Sequence, residues 1–437
     1  MSAEPTSEPT TVGNYFVSNY PPYSFWSEAG VVAAEAALQR PAAPDVPLGL
    51  YVHIPFCRKR CDFCYFRVYT DKNGAEVRRY VDGILAELDL YKELPFMAGR
   101  TPSFVYFGGG TPSYLSTGQL RHLFEGLQER LPWTDTREVA FECEPGTLQE
   151  GKAALLRELG ATRLSLGIEN FDPEILALNN RAHGAPEIER AYGFMRDEGF
   201  EQVNIDLIAG MVGETEANWR SCIDKTIALA PESVTIYQME VPYNTTLYQD
   251  MKDGGKRVAP VADWETKRRW VSEAYTRLEE VGYTIGSAYT ASRGDDVRFL
   301  YRDALWHGAD MLGLGVSSFS QIGGVHFQNE HAFEPYLQRV EADELPIARA
   351  HAMTDDERFV REFILQMKLG HISLAYFAEK FGVDVRARYA EPLAQLAERG
   401  FVAITGDRLE LSRAGLMQVD GLLPDFFLDE HRNVRYA

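Results

Sequence analysis

The feature that most constrains the fold is a regular alternation of two kinds of segment from residue 48 onward. The apolar, β-branched segments are GLYVHIPF, SFVYFGG, EVAFECEP, RLSLGIE, QVNIDLIAG and SVTIYQMEV. Segments of helical spacing, such as EVRRYVDGILAELDLYKEL, separate them. This alternation predicts an α/β protein with parallel strands and right-handed crossovers. Six or so units favour a (β/α) barrel, complete or incomplete, over an open doubly wound sheet, although the pattern alone permits both. YTIGSAY is a further strand candidate.

The chain divides into three regions. Residues 1–47 form an N-terminal extension, in which the Ser/Thr/Pro/Glu-rich residues 1–12 are expected to be disordered. Residues 48–345 form the barrel. Residues 346–437 form a small winged-helix-like α+β domain, with helices and a hairpin around Gly406. The aromatic residues of the extension are expected to pack over the barrel, either as a plain hydrophobic contact or as a cap on a flat substrate. They are Tyr15, Phe16, Tyr20, Tyr23, Phe25 and Trp26.

Composition excludes several classes of function. The 437 residues carry a formal net charge of −20, which argues against a partner such as nucleic acid or an anionic membrane. The sequence has no apolar run of about 18 residues. Its N-terminus lacks the basic and apolar regions of a secretory signal. We therefore expect a cytoplasmic protein.

Three of the five cysteines lie within eight residues, directly after the first predicted strand. An odd number of cysteines argues against a disulfide framework. Thiolates of Cys57, Cys61 and Cys64, spaced C-x3-C-x2-C, suit three irons of a [4Fe–4S] cluster and leave the fourth iron open. That iron can chelate S-adenosylmethionine (SAM) and pass an electron into its sulfonium bond. A zinc site is the alternative, but zinc usually takes four ligands and no second pair of cysteines follows. Cys143 and Cys222 are expected in the core.

Motifs in a fixed order then show a family resemblance. YVHIPFCRKRCDFC, YFGGGTP, FECEPGTL, RLSLGIENF, VNIDLIAG and GLGVSSFSQIGG resemble the radical SAM family of oxygen-independent coproporphyrinogen dehydrogenases and related heme chaperones. The resemblance covers roughly residues 14–430. It implies a partial (β/α)6 TIM-type barrel with the cluster in the loop after the first strand, as barrel sites lie at the C-terminal ends of strands.

The resemblance also implies a set of SAM-binding residues. The positions that match are Tyr51, Phe63, Gly109, Gly110, Thr111, Glu142, Glu169, Arg181, Asp206, Glu240 and Phe319. Phe63, Gly110, Thr111, Arg181 and Asp206 match the site of a second SAM. Glu169 departs from the family, which has Gln there, and a carboxylate cannot donate a hydrogen bond.

Each of these positions also has a structural interpretation. The glycines can simply form a turn, and Tyr51 can be a barrel aromatic. Glu142 and Glu144 share a strand face, where a solvated strand end is the alternative to a ligand site. Arg181 and Asp206 can be salt-bridge partners.

Phe66 separates members of the resembled family. The porphyrinogen-oxidising members carry a fourth cysteine two positions after the third, where this chain has Phe66. The aromatic extension and the GLGVSSFSQIGG motif are less typical of the heme chaperones. The resemblance therefore favours the class C methylases, which are thought to cleave one SAM to a 5′-deoxyadenosyl radical. That radical takes hydrogen from the methyl group of a second SAM, and the methylene radical adds to an sp2 carbon. The product is a methyl group or a cyclopropane. Oxidative decarboxylation and heme delivery remain the alternatives.

Residues for proton transfer and substrate contact are weaker predictions. His53, or alternatively Glu240, would move a proton, although His53 can equally pack beside the cluster. Tyr237 and Gln238 are expected to line the pocket of a small-molecule substrate. His326 and Gln328 face that pocket or form a structural turn. We expect a monomer that receives electrons from a flavodoxin or ferredoxin.

Overall fold

The computed structural model describes residues 16–254, 260–294, 296–432 and 434. The predicted disordered start and Tyr15 lie outside the described residues. An N-terminal strap, residues 16–30, leads into helix α1 (Val31–Leu38). The strap packs over the main domain: the Trp26 ring stacks on His326, with centroids 5.1 Å apart, and Ser27 pairs with Ala350.

The predicted strands form a parallel sheet. Its six strands are β1 (Leu48–Ile54), β2 (Phe104–Gly109), β3 (Glu138–Cys143), β4 (Arg163–Glu169), β5 (Gln202–Ala209) and β6 (Ser233–Gln238). Each strand pairs in parallel with the next one along the chain. A doubly wound sheet reverses its strand order at a switch point. The order here does not reverse, so the (β/α) barrel-like interpretation is confirmed over the open doubly wound sheet.

Helices connect these strands, as their spacing predicts. They are α2 (Gly74–Lys92), α3 (Thr117–Arg130), α4 (Glu150–Glu158), α5 (Pro173–Leu178), α6 (Ala185–Asp197), α7 (Glu216–Leu229), α8 (Thr246–Asp253) and α9 (Trp264–Glu280). In α2, the Asn73 side chain accepts hydrogen bonds from the Ala75 and Glu76 amides, and Glu76 accepts one from the Asn73 amide. This capping box satisfies amides that lack a partner within the helix.

The sheet continues on both sides of the parallel strands. The additional strands are β7 (Tyr283–Ile285), β8 (Thr290–Arg293), β9 (Asp310–Leu314), β10 (Phe319–Ile322), β11 (Val325–Asn329) and β12 (Ile347–Ala352), with helices α10 (Leu300–Trp306) and α11 (Phe333–Glu341) between them. β9 runs parallel to β1, whereas β8 pairs antiparallel with β6. YTIGSAY is thus strand only over β7, because the Gly286 amide bonds back to the Thr290 carbonyl and turns the chain. The sheet is open, with β12 at one edge and β7 at the other.

The C-terminal domain begins after β12 in the structure, later in the chain than the sequence predicts. The predicted boundary lies before residue 346, but β12 pairs with β11 and so belongs to the large sheet. The following elements are α12 (Asp355–Met367), β13 (His371–Ser373), α13 (Leu374–Phe381), α14 (Val385–Arg388), α15 (Ala390–Glu398), β14 (Val402–Thr405), β15 (Arg408–Leu411), α16 (Arg413–Leu416) and α17 (Val419–Leu422). The hairpin turns at Gly406, where φ is +56°, as predicted.

The C-terminal domain, the strap and the sheet share one hydrophobic core. The Tyr20 ring of the strap lies 5.2 Å from Phe427, and its hydroxyl is 2.6 Å from His431 Nδ1. No helix in the described part of the chain is both long and apolar enough to cross a membrane.

Candidate active site

A cavity of about 420 Å³ lies at the C-terminal ends of the parallel strands. Its walls come from the loop after β1, the ends of β2 to β6, the strap residue Phe16 and residues 416–421 around α17. Successive parallel strands present their carboxyl ends on one side of the sheet, so side chains distant in sequence meet there. The cysteine motif after β1, the glycine run after β2 and the acidic residues at the end of β3 therefore line the same cavity.

The loop after β1 carries Cys57, Cys61 and Cys64, and all three line the cavity. Backbone hydrogen bonds fix the loop at its start, within the turn and against the segment after α5. They join the Cys57 amide to Tyr69 O (3.1 Å), the Cys64 amide to Cys61 O (3.1 Å) and the Asp62 amide to Asn179 O (3.3 Å). The cluster loop, residues 57–64, is therefore anchored from both sides.

Two side chains donate hydrogen bonds to the cysteine sulfurs. Thr111 Oγ1 lies 3.3 Å from Cys57 Sγ, and Arg181 Nη1 lies 3.3 Å from Cys61 Sγ. Burial raises the pKa of the Cys57 thiol to about 12 and that of the Cys64 thiol to about 11. Metal binding to a thiol displaces its proton, and hydrogen bonds to the sulfur then stabilise the thiolate.

The donor set fits an iron–sulfur cluster better than a single metal ion. Within the described ranges, no three His, Cys, Asp or Glu side chains converge on one ion position. A tetrahedral zinc site requires such convergence. The three thiolates of a [4Fe–4S] cubane each bind a different iron and need not converge.

The glycines after β2 are needed first for packing. Gly109 has φ of +109°, and a Cβ there would lie 2.4 Å from the His53 ring. A Cβ on Gly110 would lie 2.9–3.0 Å from backbone atoms of residues 54–56. The Gly110 and Thr111 amides donate to Ile54 O and Phe56 O, each at 2.8 Å. The glycine run thus holds the start of the cluster loop and, in addition, lines the cavity.

Carboxyl groups from three strands face the cavity. Burial raises the pKa of Glu142, which accepts a 2.6 Å hydrogen bond from the Tyr106 hydroxyl, to about 7. Burial likewise raises the pKa of Asp206, although Ser165 Oγ and Asn204 Nδ2 donate to it at 2.6 and 2.9 Å. Both groups keep acceptor capacity for a ligand.

Glu144 has a different environment from Glu142. Its carboxylate bonds to Arg58 Nη2 (3.0 Å), His183 Nδ1 (3.1 Å) and the Gly146 amide (3.1 Å). Burial acts to raise its pKa, but His183 and Arg58 outweigh burial and lower the pKa to about 2. Glu144 is therefore a charged anchor for the cluster loop through Arg58.

Arg181 joins the cluster loop to the end of β4. Its Nη2 donates to Gly167 O at 2.6 Å and lies 3.5 Å from Glu169 Oε1. Glu169 has φ of +65°, and burial raises its pKa to about 7. The Arg181 Nε group is buried and has no hydrogen-bond partner in the described part of the protein. A buried donor without a partner suits a ligand with an anionic group, such as the carboxylate of SAM.

Not every predicted residue reaches the cavity. Phe63 lines it, but Tyr51, His53, Phe319, His326 and Gln328 are not among its lining residues. The Tyr51 hydroxyl bonds to His53 Nδ1 at 3.1 Å, and burial lowers the pKa of His53 to about 4. His53 is thus a neutral packing residue beneath Gly109. Phe319 stacks on Tyr23 of the strap, with centroids 4.7 Å apart.

Tyr237 was expected to line the cavity, whereas Tyr65 and Asp420 were not predicted from the sequence. Tyr65, Phe66 and Tyr237 are 44%, 40% and 41% exposed, respectively, and all three project into the cavity. Asp420 and the neighbouring residues of α17 reach the cavity from the C-terminal domain. Exposed aromatics next to the cluster cysteines were detectable in principle, whereas no local pattern marks Asp420.

Glu240 lies beside these C-terminal residues. Burial and the nearby Asp420 carboxylate raise its pKa to about 8. Tyr237 stacks on Tyr289 with centroids 6.1 Å apart, and the Phe16 ring meets Tyr289 edge-on at 5.6 Å. This end of the cavity is aromatic and acidic.

Comparisons with known proteins agree with this geometry. Residues 51–225 match the radical SAM superfamily, and residues 353–417 match the HemN C-terminal domain. The oxygen-independent coproporphyrinogen III oxidase of Escherichia coli is 27% identical over 429 residues, covering 93% of this chain and 91% of that protein. The heme chaperone HemW of Bacillus subtilis is 26% identical, covering 84% and 95%. The solved structure of coproporphyrinogen III oxidase (HemN) from Escherichia coli superposes with a TM-score of 0.82 at 25% identity, covering 95% and 99%.

Proposed function

Because the chain is a HemN-like radical SAM enzyme, we propose that it transfers a carbon unit from a second SAM to an sp2 carbon of a small aromatic or heteroaromatic substrate. The product would carry a new methyl group or a cyclopropane. Cys57, Cys61 and Cys64 would hold the [4Fe–4S] cluster, which when bound would supply the electron that cleaves SAM to methionine and a 5′-deoxyadenosyl radical.

The observation that carries this proposal is Phe66 on the cavity wall. In the family that the motifs resemble, the porphyrinogen-oxidising members carry a fourth cysteine at this position. Here a phenyl ring, 40% exposed, lies 4.5 Å from the ring of Tyr65 and faces the cavity. Unlike a thiol, a phenyl ring has no acidic proton and no weakly bonded hydrogen atom to exchange with a substrate. Methyl transfer needs no such thiol, so Phe66 favours it over oxidative decarboxylation.

The aromatic lining supports a flat, unsaturated substrate. Tyr65 and Phe66 form one aromatic pair, and Tyr237 with Tyr289 forms another. Aromatic side chains hold planar ligands by stacking, at little cost in side-chain entropy. Phe16 of the strap contacts Tyr289 and lines the cavity. This position favours the strap as a cap on a flat substrate over a plain hydrophobic contact with the barrel.

The polar lining supports binding of SAM. Arg181 Nε is a buried donor for a carboxylate, and Asp206 and Glu169 are acceptors for ribose hydroxyls. We propose that Phe63, Gly110, Thr111, Arg181 and Asp206 hold the second SAM as a substrate. The role of these residues is to orient two SAM molecules and to exclude water from them.

SAM carrying a CD3 methyl group tests the proposal without knowledge of the substrate. We expect the reduced, reconstituted enzyme to release 5′-deoxyadenosine that contains one deuterium, because the methyl group of the second SAM is the hydrogen donor. Mass spectrometry measures the label, and equilibrium dialysis should give two SAM molecules per chain. Unlabelled 5′-deoxyadenosine, with a single bound SAM, contradicts the proposal.

The same assay with added coproporphyrinogen III tests the second candidate, which the relatives' activity supports. Release of CO2 from coproporphyrinogen III, with no S-adenosylhomocysteine, would establish decarboxylation instead. A heme titration tests the third candidate. Stable heme binding with little SAM cleavage would indicate a heme chaperone.

A further inference from the structure

The exposed residues between the cluster cysteines differ in charge from the rest of the chain. Between Cys57 and Cys64 stand three cations, Arg58, Lys59 and Arg60, and one acid, Asp62. The chain as a whole has a net charge of −20. All three cations are exposed, although they border the cavity mouth. A local cationic surface on an acidic protein raises the concentration of anionic partners at that point.

Hydrogen bonds hold two of these cations in fixed positions. Arg58 bonds to Glu144 and to Ala182 O (2.9 Å), and Arg60 bonds to Cys64 O (3.2 Å) and Asn244 O (3.0 Å). Lys59 makes no ion pair with any described residue. Its charge is therefore directed to solvent between two anchored arginines.

An exposed apolar residue lies in the segment that contacts this loop. Leu178, at the end of α5, is 56% exposed. The segment after it bonds to the cluster loop through Asn179 O, which accepts from the Asp62 amide at 3.3 Å, and through Asn180 Nδ2, which donates to Arg60 O at 2.8 Å. The loop face is the surface formed by Arg58, Lys59, Arg60 and Leu178. Glu174 is an exposed acid on the same helix, one turn before Leu178.

We infer that the loop face is the docking site of an acidic one-electron carrier protein. Radical SAM chemistry consumes one electron for each SAM cleaved. The carrier would be oxidised by one electron. The [4Fe–4S] cluster, when bound, would accept that electron and pass it to SAM, whose C5′–S bond would break to give methionine and a 5′-deoxyadenosyl radical. The loop face is the solvent side of the loop that holds all three cluster ligands. Small docking surfaces with an apolar residue and a charged rim are typical of transient redox complexes.

This inference goes beyond the proposed function, because every radical SAM reaction needs the electron. Its test uses the holoenzyme with a flavodoxin of strongly negative net charge. We expect Lys59→Glu to weaken flavodoxin binding, measured by isothermal titration calorimetry at low salt, on the order of 3- to 10-fold. Leu178→Asp should weaken it similarly. Added salt should reduce the difference, because salt screens exposed charges.

Two controls separate docking from damage to the site. Formation of 5′-deoxyadenosine with dithionite as the reductant should stay within about twofold of wild type in Leu178→Asp, because Leu178 does not line the cavity and a small reductant needs no docking site. Arg399→Glu makes the same charge reversal at an exposed site in the C-terminal domain and should leave flavodoxin binding unchanged.

Three results would overturn the inference. One is unchanged flavodoxin binding in both Lys59→Glu and Leu178→Asp. Another is an equal loss in the Arg399→Glu control. The third is an equal fall in the dithionite-driven and flavodoxin-driven rates of Leu178→Asp, which would show damage to the site instead of lost docking.

Discussion

Among single residues, their ion-pair and hydrogen-bond partners separate the buried carboxyl groups of the cavity into two kinds. Glu144 is paired with Arg58 and His183, and its pKa is lowered to about 2. Glu142 and Glu169 have pKa values raised to about 7, because burial penalises their charged forms. The two-residue period of a strand placed Glu142 and Glu144 on one face in the sequence-based prediction. Their partners, which come from other strands and loops, give them different protonation states.

Glu169 gives a prediction about stability and pH. Its folded-state pKa of about 7 exceeds the unfolded value of 4.5, so the folded protein binds more protons between these pH values. Stability therefore falls as pH rises towards 7. We expect Glu169→Gln to raise the free energy of unfolding by about 2 kcal/mol at pH 8, with a smaller gain at pH 5. Urea denaturation at the two pH values measures the difference.

Glu189→Gln is the matched control for this substitution, since Glu189 is exposed on α6. It should leave the unfolding free energy unchanged at both pH values. A gain from Glu169→Gln that is equal at pH 5 and pH 8 would show that its carboxyl does not titrate in this range.

The cysteines give a second prediction at this scale. We expect Cys61→Ala to lose most of its iron and sulfide after anaerobic reconstitution, because two thiolates cannot hold the cluster firmly. Cys222→Ala should keep wild-type iron content, since Cys222 is buried and bonds to Asn170 Oδ1 instead of facing the cavity. Iron retained in Cys61→Ala would exclude Cys61 as a ligand.

Among the structural elements, the cluster loop depends on its contact with the end of β2. Ile54 and Phe56, just before the loop, accept hydrogen bonds from the Gly110 and Thr111 amides. Within the loop, Arg58 pairs with Glu144. The position of the cluster is thus set by backbone packing of two parallel strands as well as by the cysteines. From the sequence, the GGG motif could be predicted to contact a ligand. Its tight packing on residues 54–56 could not be predicted, because this packing depends on how the ends of β1 and β2 meet.

Gly110→Ala tests this packing. Its Cβ would lie 2.9–3.0 Å from backbone atoms, which cannot move without shifting the cluster loop. We expect a loss of about 1–3 kcal/mol in unfolding free energy and lower iron incorporation. Gly118→Ala, in α3, meets nothing within 4 Å and should be neutral or slightly stabilising. Normal iron content in Gly110→Ala would contradict this account of the loop.

Across the whole molecule, Asp420 joins three distant parts of the chain. Its carboxylate pairs with Lys368 Nζ at 2.6 Å, accepts from the Val17 amide of the strap at 3.1 Å, and accepts from the Tyr289 hydroxyl. The Lys368 side chain is only 1% exposed. The strap, the C-terminal domain and the barrel therefore close the cavity around one buried ion pair.

We expect Asp420→Asn to destabilise the protein by about 3 kcal/mol, because it leaves the buried Lys368 without its counter-charge. Limited proteolysis should also cleave the strap sooner, since the amide of Val17 loses a charged acceptor. Asp425→Asn, an exposed change in the same segment, is the control and should alter neither property. Unchanged proteolysis of the Asp420→Asn strap would show that other contacts hold it.

The sequence by itself determined the parallel α/β fold and the position of the cysteine motif directly after the first strand. Strand and helix periods, like the spacing of the three cysteines, involve residues that are close in sequence. Both patterns can therefore be recognised from the sequence alone. Only the tertiary structure decided which predicted residues face the cavity. It places His53 and Phe319 away from the cavity, brings Asp420 into it from a distant domain, and shifts the protonation of Glu169. These outcomes depend on burial and on partners distant in sequence, which no local pattern encodes.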